Sequence, residues 1–148
     1  MSAAEIRRAG PNDIGELLEL HRAFCAVDDH PFDPVRAEGA FAPLLDDDAH
    51  GVVWLVDDPP AYAVLTWGWS IEAGGAEAVL DEVYSSQRGR GVGQGLIEHL
   101  IADARQRGIV RIFLETERHN DRARELYRRH GFVVDDSIWM SLEFTALS

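Results

Sequence analysis

Residues 85–96 read Ser85-Ser86-Gln87-Arg88-Gly89-Arg90-Gly91-Val92-Gly93-Gln94-Gly95-Leu96. Glycine takes every second position from 89 to 95, with Arg88 and Arg90 among them. Upstream, AVLDEVY (78–84) is rich in β-branched and apolar residues and reads as a strand. Downstream, Leu96, Ile97, Leu100, Ile101 and Ala104 recur at helical spacing, and Gly108 supplies the stop. A strand that turns through glycines into a helix N-terminus is suited to anions. The N–H groups of the first turn lack intrahelical acceptors, and the helix dipole adds positive potential. Glycine lets this backbone come close to a phosphate, and arginine adds charge-assisted donors.

Two common phosphate loops do not fit. A Walker A loop needs Gly-Lys-Ser/Thr, and all 14 basic residues here are arginine. The dinucleotide fingerprint G-x-G-x-x-G needs glycine at 94 or 96, where Gln94 and Leu96 stand.

Working outward, the N-terminal half reads as a short strand from Ile6, a helix over 13–27 and a second helix over 35–45. Asp13 with Glu16 fits a capping box for the first helix. Ile14, Leu17, Leu18, Phe24 and Cys25 form its apolar stripe, with Cys25 as a packing residue. Strands follow at 52–56 and 61–70, then a hairpin connection at 72–77 into the 78–84 strand. Beyond the glycine segment and its helix come a strand at 112–116, a helix over 121–130 capped by Asn120 and ended by Gly131, and strands at 132–134 and 138–144. This order predicts a single α+β (mixed α/β) domain over residues 1–148.

The chain has 148 residues and a net charge of −12, which argues against nonspecific nucleic-acid binding. The first 87 residues carry four arginines against 17 acidic residues, and the rest carry ten against nine. Such a split suits two partners of opposite sign. No apolar run is long enough for a membrane span, and the N-terminus lacks a signal-peptide pattern. One cysteine, Cys25, excludes an internal disulfide, so a cytoplasmic setting is expected. No His/Cys group has metal-site spacing, and no metal is expected.

The spacing Arg88-Gly89-Arg90-Gly91-Val92-Gly93 resembles the Arg-x-x-Gly-x-Gly/Ala signature of the GNAT N-acetyltransferases. A second segment, HNDRARELYRRHGF (119–132), resembles that family's Asn-x-x-Ala-x-x-x-Tyr-x-x-x-Gly-Phe pattern at Asn120, Ala123, Tyr127, Gly131 and Phe132. The likeness extends over 61–144 and is weaker before it. It points to a small bacterial-type, single-domain member. One departure is the link between Tyr84 and Arg88, only Ser85, Ser86 and Gln87, which is shorter than the family pattern.

The resemblance implies a mostly antiparallel central sheet with a splayed parallel strand pair and flanking helices. It also implies acetyl-CoA as co-substrate and direct transfer of its acetyl group to a primary amine. Expected cofactor-binding residues are Val83, Tyr84, Ser85, Arg88, Gly89, Arg90, Gly91, Val92, Gly93, Asn120 and Tyr127. Tyr127 corresponds to the general acid. The general base is Glu82 or Asp81. Adjacent residues of a regular strand face opposite ways, which puts Glu82 with Leu80 and Tyr84, and Asp81 with Val79 and Val83.

Acceptor-side candidates are Glu72, His30, Phe32 and Trp67. The four tryptophans, Trp54, Trp67, Trp69 and Trp139, offer either a cation-binding face or core packing. An acidic acceptor side suits a small cationic amine. A protein or peptide acceptor stays open, as does a catalytically silent module that binds acyl-CoA. A homodimer is compatible with the sequence.

Overall fold

The computed structural model describes residues 4–144. Its elements in chain order are β1 (Ile6–Arg8), a 3-10 turn (Pro11–Asp13), α1 (Ile14–Val27), α2 (Pro34–Asp46), β2 (Gly51–Val56), β3 (Ala61–Ser70), β4 (Gly75–Ser85), α3 (Val92–Gln106), β5 (Arg111–Leu114) and α4 (Asp121–Arg129). The five strands form one sheet in the order β1-β2-β3-β4-β5. Neighbours are antiparallel except the parallel pair β4–β5.

Each face of the sheet is covered by helices. On one face, Leu17 and Leu20 of α1 and Phe41, Leu44 and Leu45 of α2 pack on Val53, Leu55, Tyr62 and Val64. On the other, Leu96, Ile97 and Leu100 of α3 pack on Val52, Ala63, Leu65, Ala78 and Leu80. Strands buried on both faces lose the polar alternation of a solvated sheet. β2 and the first half of β3 accordingly read as nearly continuous apolar runs.

Two features of β4 position the site. Its parallel pairing with β5 runs from Glu77↔Arg111 to Leu80↔Leu114 and stops there, while β4 continues to Ser85 against β3 alone. The expected splay is therefore present. The second feature is a bulge: Val64 pairs with Glu82 and Leu65 with Leu80, leaving Asp81 as the extra residue. A bulge shifts the alternation of side chains by one. Leu80 and Val83 consequently pack on the α3 face, and Tyr84 on the α1–α2 face. Glu82 keeps company with Tyr84 as the sequence suggested, but not with Leu80.

Other details also differ from the sequence reading. Asp13 caps no helix in partnership with Glu16. Its carboxylate accepts from the Gly10 N–H at 2.8 Å and pairs with Arg7, so it closes the 3-10 turn and does not bond the first turn of α1. The strands expected at 132–134 and 138–144 do not form within the described residues; 132–144 is irregular. Val133, Val134, Ile138, Met140, Leu142 and Phe144 stay exposed. Alternating apolar residues favour a strand only where a ladder partner and a half-buried surface receive them. The outer edge of β5 is open to a further strand, yet 132–144 makes no ladder with it among the described residues, which nothing in the structure explains.

Candidate active site

The glycine segment folds as its spacing demands. Gly89 and Gly91 have φ of 76° and 73°, in the left-handed region, where a Cβ is costly. Gly91 is the N-cap of α3, and no side chain caps the helix. The first-turn N–H groups thus face a cavity of about 360 Å³ lined by Ser85, Arg88, Gly89, Gly91, Val92 and Gly93 on one side. Asn120, Arg122, Ala123 and Arg129 close it from α4. Arg88, Arg122 and Arg129 have no ion-pair partner among the described residues. Arg90 turns away and donates to Gln87 Oε1 at 2.9 Å. A Cβ added at Gly93 would meet no atom within 4 Å, so nothing in the protein requires glycine there. Space, donors and unpaired cations fit a pyrophosphate. The shortened 85–87 link still delivers the loop, tied down by Ser86 N–H to Pro60 O at 2.9 Å.

Asn120 accepts from the Ala123 N–H at 3.1 Å and so starts α4, which carries Tyr127. Tyr127, Asn120 and Ala123 line the next cavity, a cleft of about 380 Å³ in the splay between β4 and β5. Leu80, Asp81, Glu82 and Val83 form its β4 wall and Leu114–Glu117 its β5 wall. Burial pushes the Tyr127 phenol above its usual pKa, so it remains a proton donor at neutral pH.

A third cavity, about 620 Å³, opens on the α1–α2 side. Ala37, Ala40, Phe41, Leu44 and Val64 give it an apolar floor, and Asp33, Asp81, Glu82 and Glu143 bring carboxylates. Asp81, Glu82 and His30 line both this cavity and the splay cleft. The three spaces therefore adjoin in series, sharing Asn120 and Ala123 and then His30, Asp81 and Glu82, and the two carboxylates stand where the second and third meet. Asp81 is open to solvent, yet desolvation by its surroundings raises its carboxyl. Glu82 is held differently. Its Oε1 accepts from Tyr62 Oη at 2.6 Å and lies 2.8 Å from His21 Nδ1.

A family model described as "Acetyltransferase (GNAT) family" matches residues 15–132. The chain belongs to the GNAT acetyltransferase family. A mycothiol acetyltransferase of Beutenbergia cavernae is 35% identical over 84 residues, which is 55% of this chain and 28% of that protein. The chain thus spans under a third of that curated relative. An integron cassette protein from the mobile metagenome of Cole Harbour Salt Marsh superposes with a TM-score of 0.83 at 24% identity, covering 95% of this chain and 91% of its own. A ribosomal-protein-alanine N-acetyltransferase of Brucella melitensis biovar Abortus 2308 gives 0.72 at 21% identity, covering 96% and 100%. At these identities the superpositions speak for the GNAT fold alone.

The GNAT fold gathers most of the expected site residues and leaves some elsewhere. Val83 lines the cleft, and Ser85, Arg88, Gly89, Gly91, Val92, Gly93 and Asn120 line the cradle. Tyr84 packs on the opposite face, 6.4 Å from Tyr62. His30 lines cleft and acceptor cavity, its Nε2 3.0 Å from Asp28 Oδ2. Phe32 lines neither and packs 5.8 Å from the His21 ring. Trp67 also lies outside the three cavities: its indole N–H donates to Asp48 O at 2.7 Å and Arg107 covers its ring. Glu72 sits at the β3–β4 turn, 90% exposed and 3.9 Å from Arg111. Asp28, His30 and Glu117 can bring ligand-type atoms within 4.8 Å of one another at the cleft, a grouping that linear spacing could not show. Four contributors escaped the sequence reading: His21, Tyr62, Arg122 and Arg129. The last two had a signal, since with Leu126 they sit at i, i+4 and i+7, one face of α4.

Proposed function

We propose that this protein transfers the acetyl group of acetyl-CoA to the primary amine of a small cationic molecule. The observation that carries the reading is the run of three adjoining cavities. An arginine-lined cradle leads through the splay cleft to an acidic cavity, with Glu82 and Asp81 at the junction and Tyr127 in the cleft wall.

Bound along these cavities, acetyl-CoA would supply a thioester-activated acetyl group. The remaining work falls to the chain. Arg88, Arg122, Arg129 and the first-turn N–H groups of α3 would hold the pyrophosphate. The β4 segment beyond Leu80, free of β5, offers an edge along which an extended arm can lie. Glu82, aided by Asp81, would take a proton from the incoming ammonium, freeing a lone pair for attack. Tyr127 would return a proton to the departing sulfur. Four carboxylates against the single Arg36 favour a cationic acceptor. The cavity volume suits a metabolite-sized molecule.

The test is calorimetric titration with acetyl-CoA followed by thiol release with a panel of small amines. We expect binding that Arg88→Ala weakens at least about tenfold and Arg90→Ala much less. Turnover with a diamine or polyamine should fall by roughly 10²–10⁴ in Glu82→Gln. A folded protein that binds no acetyl-CoA, or binds it and acetylates only peptide termini, overturns the reading.

A further inference from the structure

Glu82 is only as useful as its placement, and its placement depends on a residue outside the family motifs. His21 projects from α1 into a box of three phenylalanines. Phe24 stacks at 6.2 Å, Phe32 lies tilted at 5.8 Å, and Phe41 meets it edge-on at 5.7 Å. The side chain is 16% exposed. Both ring nitrogens are engaged: Nδ1 lies 2.8 Å from Glu82 Oε1, and Nε2 lies 3.4 Å from Cys25 Sγ.

Hydrogen bookkeeping decides the tautomer. Burial, reinforced by the charges of Glu82 and Asp28, pushes the Cys25 thiol up. It therefore keeps its proton and can donate it. The Tyr62 phenol is likewise raised, mainly by burial, and its O–H donates to Glu82 Oε1. A carboxylate oxygen only accepts, so Nδ1 must carry a hydrogen to bond Oε1. In the neutral ring Nε2 is then bare, and the Cys25 thiol 3.4 Å away can donate to it. Every hydrogen in the chain Cys25, His21, Glu82, Tyr62 has one place to go. Glu82 Oε1 is saturated by two donors, while Oε2 has no protein partner among the described residues.

We infer that His21, oriented by the phenylalanine box and by Cys25 at Nε2, is a positioning residue that fixes Glu82 at the junction of the two cavities. Its ring clamps Oε1 and leaves Oε2 as the oxygen available to an acceptor ammonium. Phe32 then serves the acceptor side indirectly, by packing against His21. This rests on the acetyl-transfer reading for its kinetic consequence, and the tautomer is independent of it.

Two measurements test the inference. Two-bond ¹H–¹⁵N spectra of histidine-labelled protein should show His21 protonated at Nδ1 and bare at Nε2. In Cys25→Ala the Nδ1–H form should persist, because Glu82 Oε1 still requires a donor, and only the Nε2 resonance should shift as its thiol donor is lost. A wild-type Nε2–H tautomer, or a ring protonated at both nitrogens, overturns the inference. In kinetics, His21→Asn keeps an N–H donor near the Nδ1 position and His21→Leu does not. We expect kcat within about threefold of wild type for Asn and a loss of at least about tenfold for Leu, with KM for acetyl-CoA unchanged in both. Equal losses in Asn and Leu, or none in Leu, would show that His21 merely fills space. If wild type turns over no amine, the acetyl-transfer reading fails, while the nitrogen spectrum still decides the clamp.

Discussion

Tyr62 Oη lies 2.6 Å from Glu82 Oε1, a bond that runs diagonally between neighbouring strands. Tyr62 pairs in register with Tyr84, and Glu82 with Val64. The Tyr62 side chain is fully buried, so its hydroxyl has few other partners. Tyr62→Phe preserves the ring and removes the donor. A hydrogen bond to a charged group contributes roughly 1.5–3 kcal/mol, and the urea midpoint should fall accordingly. Turnover should fall as well, because Glu82 then keeps one clamp of two. An unchanged midpoint with unchanged kcat would mean that the bond does not form in solution.

The glycines of the cradle separate folding from binding. Gly91 has φ of 73°, so Gly91→Ala should cost about 1–2 kcal/mol and weaken acetyl-CoA binding too. Gly93 lies inside α3 with ordinary helical backbone and open space where a Cβ would go. Alanine there should stabilise the fold by up to about 1 kcal/mol. If the space is where phosphate oxygens approach, the same variant should bind acetyl-CoA at least about tenfold more weakly. Thermal melting and calorimetry on one preparation of each variant read both effects. A Gly93→Ala protein that binds as well as wild type would remove the close-approach argument.

These contrasts mark what the sequence could disclose. Local patterns were legible because local chemistry decides them. The glycines at 89 and 91, the Asn120 cap and the Ala61–Ser70 strand carry their geometry in their own residues. The bulge at Asp81 was not legible, since it depends on how β3 pairs with β4, and it changed which neighbours Glu82 keeps. His21 was hidden for a related reason. A histidine on an amphipathic helix has no mark of its partner 61 residues away. Residues 132–144 erred in the other direction. Their apolar alternation is strong, yet they make no ladder with the open edge of β5 among the described residues.

The N-terminal junction should govern acid stability. Arg7 makes paired hydrogen bonds to Asp13 at 2.9 and 2.8 Å and also reaches Asp57. These bonds, chiefly from Arg7, hold the Asp13 carboxyl below its ordinary value. A carboxyl lowered by folding contributes stability that is complete above its unfolded pKa of about 3.9 and is lost as pH falls through the folded value. Asp13→Asn should therefore cost about 1–2 kcal/mol at pH 7. The gap to wild type should close steadily below about pH 4. Urea midpoints at pH 7, 4 and 3 read this. A gap that persists undiminished at the lowest pH would assign the loss to shape and not to charge.

Tyr127 gives the sharpest test of the chemistry. It comes from α4, whose start is set by Asn120, and it shares the splay cleft with Glu82 and Asp81. Burial raises its phenol above the ordinary tyrosine range near 10. A raised acid stays protonated as pH climbs, so loss of its proton should not limit turnover below about pH 10. Tyr127→Phe keeps the ring packed against Phe132, at 5.7 Å, and removes only the proton donor. Acetyl-CoA affinity should stay within about threefold, while kcat falls by roughly 10²–10⁴. An acceptor that supplies its own proton would soften this loss, so the comparison is made with a simple alkyl amine. If Tyr127→Phe turns over that amine at the wild-type rate, the proton on the leaving sulfur comes from elsewhere, and Tyr127 is a wall of the cleft.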